Sequence, residues 1–400
     1  MFSKRFFLFL RKYFDTCYNI ILASMKRRNF LSTLGMAPVV MSMPGMTESF
    51  GRQTPQTSGM KLIDSHVHVV DSGKPLLQMM RELHEGYRAC GFDAMCYAVN
   101  TGEGFHAIYR NMMAFVYKFL YPEHGYVFAS LDYHVPGSNR PEWDFRLQAE
   151  RLINIGADGF KMYEGKPNAR KMCGNIPLNS RRYAGFYDLL EQRGITLALH
   201  LADPPDFWDK DKATAYQVAS DWFFGDAAHS TYQEIYDECI DIIASRPRLR
   251  VLLPQFGYLL SNEIEELLRR YPNLYSDIAS GGTFDHLGTE SDAFRKIALE
   301  FPDRLLFACS GVAADLAGAN ARRAQRMLEG INALELPEAT VRAIFSGNFL
   351  SHCPQKPVNT AALKEYAGLI KNNLEGFPAK PADQATVQRT MEVISFIEAI

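Results

Sequence analysis

Short apolar segments alternate with longer amphipathic segments from residue 61 to residue 334. Apolar runs of four to eight residues are typical of buried strands, and apolar residues recurring every three to four positions are typical of helices. The pattern predicts eight strands, at Lys61–Val67, Asp93–Val99, Tyr126–Leu131, Gly159–Met162, Thr196–Leu201, Arg250–Gln255, Leu274–Asp277 and Leu305–Cys309. It predicts eight helices between and after them, at Pro75–Cys90, His106–Phe119, Glu142–Ile155, Arg181–Arg193, Tyr232–Ser245, Ser261–Tyr271, Ser291–Phe301 and Gly318–Leu334.

Regular alternation of strands and helices predicts a parallel sheet, because parallel strands are joined by crossover connections that are usually helices. Eight such units over about 280 residues fit an α/β fold of the (β/α)₈ TIM barrel type, which typically takes about 250 residues. An open, doubly wound sheet is the alternative, but no Gly-x-Gly-x-x-Gly follows the first strand. We therefore predict a barrel over residues 61–355.

Added helices are predicted after the barrel, at Thr360–Asn373 and Ala385–Ile400. We expect this C-terminal extension, residues 356–400, to pack on the outside of the barrel or to mediate contacts between copies in a homo-oligomer.

The N-terminal extension, residues 1–60, has the character of a targeting segment and a linker. Met25–Leu31 (MKRRNFL) resembles a twin-arginine export signal, with Met25 as a candidate start. The uncharged stretch Phe30–Met43 has the length of the apolar region of a signal peptide, roughly 7–15 residues, and is too short for a stable membrane span. We expect an exported, periplasmic or otherwise extracytoplasmic protein. A basic N-terminal helix on a cytoplasmic protein is the alternative.

Composition narrows the class of protein. The 400 residues are 47% hydrophobic and 22% charged, with a net charge of −2, which is ordinary for a globular protein and gives no reason to expect a nucleic-acid partner. The seven cysteines include no Cys-x-x-Cys, so neither a zinc knuckle nor a disulfide framework is indicated.

Two histidines end the first predicted strand. Side chains alternate along a strand, so His66 and His68 point to the same side, where two imidazoles can bind one divalent metal ion. In a TIM barrel the catalytic groups lie where the strands end. The later strands end in further polar side chains, namely Lys161, Glu164, Lys166, His200, Asp203, Gln255, Asp277 and Ser310.

This order of motifs resembles the amidohydrolase superfamily of metal-dependent hydrolases, and in particular the amidohydrolase-related branch with its lactone hydrolases and non-oxidative decarboxylases. The matching stretches are Ile63–His68, Gly156–Lys161, Leu197–Pro204, Arg250–Gly257, Asn273–Gly281, Arg304–Ser310 and Gly347–Asn348. The resemblance implies one divalent metal ion, Zn²⁺ by preference, on His66, His68 and His200. It gives Lys161 either a carbamate that bridges two metals or a contact with a substrate anion.

Two positions depart from the family pattern. A histidine usually ends strand six and an aspartate ends strand eight, whereas Gln255 and Ser310 stand there in this chain. The family aspartate takes a proton from the metal-bound water, and neither an amide nor a hydroxyl is a base near neutral pH. Substitutes for it are Glu164, Asp203, Asp277 and Asp315.

Each of these residues could instead have a purely structural role. Hydrogen-bonded structural histidines, a structural ion pair at Lys161 and a misalignment at Gln255 and Ser310 would each remove part of the site. We predict catalytic roles for Lys161, Asp203 and Asp277, and substrate contacts for Glu164, Lys166 and Trp208, with a small and preferably anionic substrate.

Three functions remain open. The first is a metal-dependent hydrolase of an amide, ester or lactone. The second is a metal-dependent decarboxylase, a carbon–carbon lyase, on the same scaffold. The third is a catalytically impaired barrel, with no metal, that binds a ligand or a partner.

Overall fold

A computed structural model describes residues 59–100, 109–133, 144–219, 222–279, 290–312, 319–374 and 381–400. The twin-arginine-like segment, nearly all of the predicted linker, and Asp315 lie outside these described residues. The predictions of export and of a linker therefore stay predictions.

All the strands run parallel in one sheet, in the order β8-β7-β6-β5-β4-β3-β2-β1-β9. Apart from β1 and β9, each pair of neighbours in the sheet is also a pair of neighbours in sequence, as is usual for short connections. The strands are β1 Ile63–His68, β2 Ala94–Ala98, β3 Gly125–Ala129, β4 Gly159–Met162, β5 Thr196–Leu199, β6 Val251–Leu253, β7 Leu274–Asp277, β8 Leu305–Leu306 and β9 Gly311–Val312.

The barrel closes through its eighth strand, which is broken into β8 and β9. β8 pairs with β7, whereas β9 pairs with β1, with Val67 opposite Gly311. Between the two halves, the Ser65 amide donates to the Phe307 carbonyl over 3.0 Å. Ser310, with a φ of 48°, ends the break. The prediction of an eighth strand at Leu305–Cys309 is therefore only partly right, because β8 ends at Leu306 and the prediction does not include β9. The predicted (β/α)₈ barrel is confirmed.

Helices follow the strands around the outside. Those of the described residues are Leu76–Ala89, Arg110–Leu120, Phe145–Ile155, Pro167–Met172, Ala184–Arg193, Ala215–Ala219, Tyr232–Ser245, Ser261–Arg270, Ser291–Glu300, Ala319–Ala333, Glu338–Arg342, Asn348–His352, Thr360–Leu374 and Pro381–Ala399. Local sequence sets several ends. Thr231 and Glu234 form a capping box, and Gly194 ends its helix with a φ of 60° that glycine adopts without strain.

Two buried clusters hold the barrel together. The larger fills the space between the strands and the surrounding helices, and the smaller fills the interior of the barrel. Phe349, from the helix Asn348–His352, packs at 4.8 Å from Tyr126 and at 6.2 Å from Phe128 (ring centroids), so this helix contributes to the interior cluster.

The C-terminal helix pair, Thr360–Leu374 and Pro381–Ala399, packs on the outside of the barrel, which is the first of the two arrangements expected from the sequence. Its two helices contact each other and the helices Arg110–Leu120 and Phe145–Ile155. No helix in the described part of the chain is long and apolar enough to cross a membrane.

A buried ion pair joins helix Arg110–Leu120 to the start of β4. Lys118, which is 1% exposed, places its Nζ 2.6 Å from Asp158 Oδ2 and 2.7 Å from the Gly156 carbonyl. Asp158 also accepts hydrogen bonds from the amides of Val127 and Lys356. One carboxylate therefore connects β3, β4 and the chain after the barrel.

Removing one partner of a buried pair leaves the other charge without compensation. We expect Lys118→Met to lower the free energy of unfolding by about 3 kcal/mol, measured by urea denaturation. Lys371→Met, which breaks an exposed pair of 2.7 Å with Glu398, should cost at most about 1 kcal/mol. Equal losses in the two variants would contradict this assignment.

Candidate active site

The two histidines of β1 meet at the carboxyl end of the strand. The Nε2 atoms of His66 and His68 lie 2.9 Å apart, and their rings stand edge to face with centroids 4.5 Å apart. The period of the strand brings the two side chains to one side, as the sequence predicts.

Each of these histidines uses its other ring nitrogen. His66 Nδ1 lies 3.0 Å from Asp277 Oδ2, and His68 Nδ1 lies 3.0 Å from the carbonyl of Ala98. Both neighbours accept hydrogen bonds, so each Nδ1 carries the proton. Burial, and then the nearby charge of Lys161 or of the other histidine, lowers the pKa of both rings. Two unprotonated Nε2 lone pairs therefore face each other.

Asp277 ends β7 and is completely buried. Its Oδ1 accepts hydrogen bonds from the amides of Gln255 and Ala279, at 2.8 and 3.1 Å. Burial acts to raise the pKa of Asp277, but its contacts with His66 and these amides outweigh burial and lower the pKa. The carboxylate is thus ionised and held in place for His66.

Lys161 projects from β4 and is 1% exposed. Among the described residues, none hydrogen-bonds to its Nζ. Burial lowers the pKa of Lys161 to about 8, although the charges of Asp277 and the buried Glu164 oppose this shift. A buried lysine with no hydrogen-bond partner among these residues and a pKa near neutrality is typical of a functional site.

His200 follows β5 and turns toward a different carboxylate. Its Nε2 lies 3.5 Å from Asp203 Oδ1, and burial lowers the pKa of His200 to about 4. Burial opposes ionisation of Asp203, but its ion pair with Lys166 and its contact with His200 lower the pKa of Asp203 to about 2. Within the described ranges, no three His, Cys, Asp or Glu side chains come together closely enough to hold a metal ion. The structure thus brings together His66, His68, Asp277 and Lys161, and leaves His200 with Asp203 and Lys166.

Tyr163 is a site residue that the sequence analysis missed. Its ring centroid lies 6.5 Å from that of His68 and 5.2 Å from that of His200. The tyrosine therefore contacts both histidines predicted to share an ion. Its place directly after β4, at a strand end, is the signal that could have found it.

The two positions that depart from the family pattern face each other. Gln255 Nε2 donates to Ser310 Oγ over 3.2 Å, so an amide and a hydroxyl satisfy each other. Arg323 also reaches this corner and donates to the Ser310 carbonyl over 3.2 Å. No charge of either sign stands at the positions of Gln255 and Ser310.

Gln255 opens a left-handed turn. Four consecutive residues, Gln255–Tyr258, have φ angles of 59°, 54°, 62° and 56°, and only the third is glycine. Left-handed backbone costs a non-glycine residue roughly 1–2 kcal/mol, and such strain clusters at functional sites. The turn brings the Tyr258 ring to 6.2 Å from His200. No property of the apolar pattern indicates this turn.

The predicted substrate contacts lie beside this cluster. Lys166 Nζ stands 4.4 Å from the centroid of Trp222, a contact that sequence did not suggest. The indole N–H of Trp208 donates a hydrogen bond of 2.9 Å to the Ser230 carbonyl, and the Trp208 ring packs on Phe224. Aromatic rings, those of Trp222 and Phe224, therefore lie beside the Lys166–Asp203 ion pair.

The model for the amidohydrolase family matches residues 63–348. No curated protein matches the chain. Among solved structures, a TIM-barrel protein from Bordetella bronchiseptica is 16% identical with a TM-score of 0.50, and the match covers 74% of this chain and all of that one. An amidohydrolase from Burkholderia multivorans, solved with bound zinc, is 12% identical with a TM-score of 0.48, covering 74% of this chain and 99% of that one.

A third solved structure is the 4-oxalomesaconate hydratase of Rhodopseudomonas palustris, which is 14% identical with a TM-score of 0.46, covering 78% of this chain and 99% of that one. At these identities the structural likeness shows the fold alone. The family model spans most of the chain, from β1 to the residues after the eighth strand, and it includes every site residue described above. The chain therefore belongs to the amidohydrolase family.

Proposed function

We propose that this protein is a metal-dependent hydrolase that acts on an amide, ester or lactone bond of a small substrate. One divalent ion, Zn²⁺ by preference, is held by His66 and His68 with His200 as the third ligand. The observation that supports this most strongly is the pair of unprotonated Nε2 atoms that face each other at 2.9 Å. Two lone pairs at this distance repel, and a cation between them removes the repulsion.

The pair His66 and His68 fits two ligands of a zinc ion. Zinc–nitrogen bonds of 2.0–2.1 Å at a tetrahedral angle separate two ligand nitrogens by about 3.3 Å, close to the separation found here. Metal-binding histidines almost always donate their other N–H to a carboxylate or a carbonyl, and Asp277 and Ala98 serve in this way. His200 would have to leave Asp203 to join the pair. A bound ion supplies Lewis acidity to the substrate and lowers the pKa of a water to about 7.

Lys161 moves the proton in this proposal. A general acid or base works best when its pKa is near the working pH, and the pKa of Lys161 is about 8. Asp203, with a pKa of about 2 and a lysine partner, is a poor base and instead positions His200 and Lys166. Asp277 positions His66 by holding its Nδ1–H.

A decarboxylase is the second candidate, and the Gln255–Ser310 contact favours it. A carbon–carbon lyase needs polarisation of the substrate more than it needs a general base. The lack of a base at Gln255 and Ser310 would therefore reduce its activity little. The Lys161 ammonium would then face a substrate carboxylate. Both candidates take a small substrate, and an anionic one suits Lys161 and Lys166.

Metal content tests the histidine pair. We expect protein purified without chelator to hold about one divalent ion per chain, and His66→Ala and His68→Ala each to lose it, because tetrahedral sites need at least three protein ligands. The measurement is elemental analysis of the purified protein. His84→Ala, which changes a histidine stacked on Tyr121 away from the site, should keep the ion. A wild-type protein with no ion, and no thermal shift on adding Zn²⁺, would point to a barrel that only binds a ligand.

Restoring the family residues tests the missing proton shuttle. We expect the double variant Gln255→His, Ser310→Asp to bind Zn²⁺ at least about tenfold more tightly than the wild type, because it adds an imidazole and a negative charge to the mouth. Competition with a chelating dye measures the affinity. The variant Gln255→Asn, Ser310→Thr keeps the neutral chemistry and is the control. If both double variants bind the ion equally, charge at these positions does not limit affinity.

Stability against pH tests Lys161. At pH 7 both the folded and the unfolded protein carry this proton, so the whole cost of burying the ammonium is present. As pH rises from about 8 to 10.5 the folded state releases the proton first, and the cost disappears. We expect Lys161→Met to raise the free energy of unfolding at pH 7 by about 3 kcal/mol, and this gain to vanish near pH 10.5.

Urea denaturation at pH 7, 9 and 10.5 measures the difference. Lys118→Met is the matched control, because Lys118 is equally buried but paired, and its replacement destabilises. A loss of stability in Lys161→Met at pH 7 would mean that the amine has a partner, such as a carbamate shared with a metal.

A further inference from the structure

The C-terminal helix pair reaches the mouth of the barrel through a turn of its second helix. The loop Val69–Pro75 continues directly from His68, and Asp71 in this loop has its Oδ2 2.9 Å from Arg389 Nε. Arg389 is nearly buried and also forms an ion pair with Glu392, one turn further along its helix. An arginine more than 300 residues away thus contacts the third residue after the paired histidines.

The same turn holds the other end of the loop. Glu392 Oε1 accepts a hydrogen bond of 2.7 Å from the amide of Leu76, the first residue of helix Leu76–Ala89. Pro75 precedes this helix and provides no side-chain cap. A carboxylate at a helix N-terminus satisfies a free N–H and interacts favourably with the helix dipole. Glu392 therefore replaces the missing cap from a distant part of the chain.

Two further contacts tie neighbouring loops into the same arrangement. The Tyr109 hydroxyl, from the chain between β2 and β3, lies 3.4 Å from Asp71 Oδ2. The first helix of the pair donates from the Tyr366 hydroxyl to Asp132 Oδ2 over 2.8 Å, just after β3. Asp132 is buried, and its backbone pairs with the Gln148 amide in both directions. The helix pair thus contacts the chain that follows β1 and the chain that follows β3.

We propose that the C-terminal helix pair completes the mouth of the barrel, and that Arg389 and Glu392 are positioning residues for the loop that follows His68. Buried ion pairs contribute little net stability compared with apolar packing, and here the pair fixes one geometry of the loop. If Asp71 loses its contact with Arg389 and Leu76 loses its contact with Glu392, the chain that follows His68 is free to move. The part of this proposal that concerns a bound ion rests on the proposed function, whereas the part that concerns the loop does not.

Arg389→Gln tests the proposal, with two measurements on the full chain. Amide hydrogen exchange reports the opening of residues 69–76, and dye competition reports the affinity for Zn²⁺. We expect exchange in residues 69–76 to become about tenfold faster, since the nearly buried ion pair between Arg389 and Asp71 is lost and the Asp71 charge is left unpaired. We expect the affinity for Zn²⁺ to fall about tenfold, as with other groups that orient metal ligands.

Lys371→Gln is the matched control, because it breaks an ion pair within the helix pair, away from the mouth. It should change neither measurement by more than about twofold, which is the scale of an exposed pair. Arg389→Lys keeps the charge and should restore part of both effects. If Arg389→Gln proves too unstable, Glu392→Ala tests the Leu76 end of the same loop, with the same two effects expected.

Unchanged exchange in residues 69–76 would overturn the proposal, as would faster exchange with unchanged Zn²⁺ affinity. If the wild-type protein binds no Zn²⁺, the proposed function fails, and the exchange measurement alone decides whether the helix pair holds the loop.

Discussion

The candidate site depends on one buried carboxylate, Asp277. It sets the tautomer of His66, accepts a hydrogen bond from the amide of Gln255, where the left-handed turn begins, and is the negative charge that acts most strongly on Lys161. These groups come from the ends of four different strands, and a barrel that closes through β1 and β9 brings them within reach of a single side chain. A neutral residue in its place would leave His66 free to turn and Lys161 with less compensation.

The fold could be predicted because it follows from period and order. Strands such as Gly159–Met162 and Leu274–Asp277 are found where the apolar pattern predicts them, since a buried parallel strand reads as a continuous apolar run. The broken eighth strand could not be predicted, because the break depends on the backbone of Ser310 and on a hydrogen bond from Ser65. Apolar periodicity carries no information about either.

The site was predictable only in part, for a related reason. The period of a strand places His66 and His68 on one side, but nothing in the sequence tells which way His200 turns after β5, or that Tyr163 contacts it. The sequence also does not tell whether a buried lysine is paired with a carboxylate. Lys118 meets Asp158 directly, whereas Lys161 has no hydrogen-bond partner in the described part of the chain, yet both stand among apolar residues in the sequence. Only the three-dimensional neighbours separate a structural lysine from a candidate catalytic one.

The positive φ angles at Gln255 and Ser310 determine which side chains these two positions suit. Histidine and aspartate are among the few residues enriched at positive φ, and they are the residues that the family resemblance gives for these two positions. Glutamine and serine have no such preference. The backbone at both positions thus has the shape that suits the residues of the family pattern. Histidine at 255 and aspartate at 310 would therefore adopt the main chain as it stands, with no remodelling of the turn or of the break between β8 and β9.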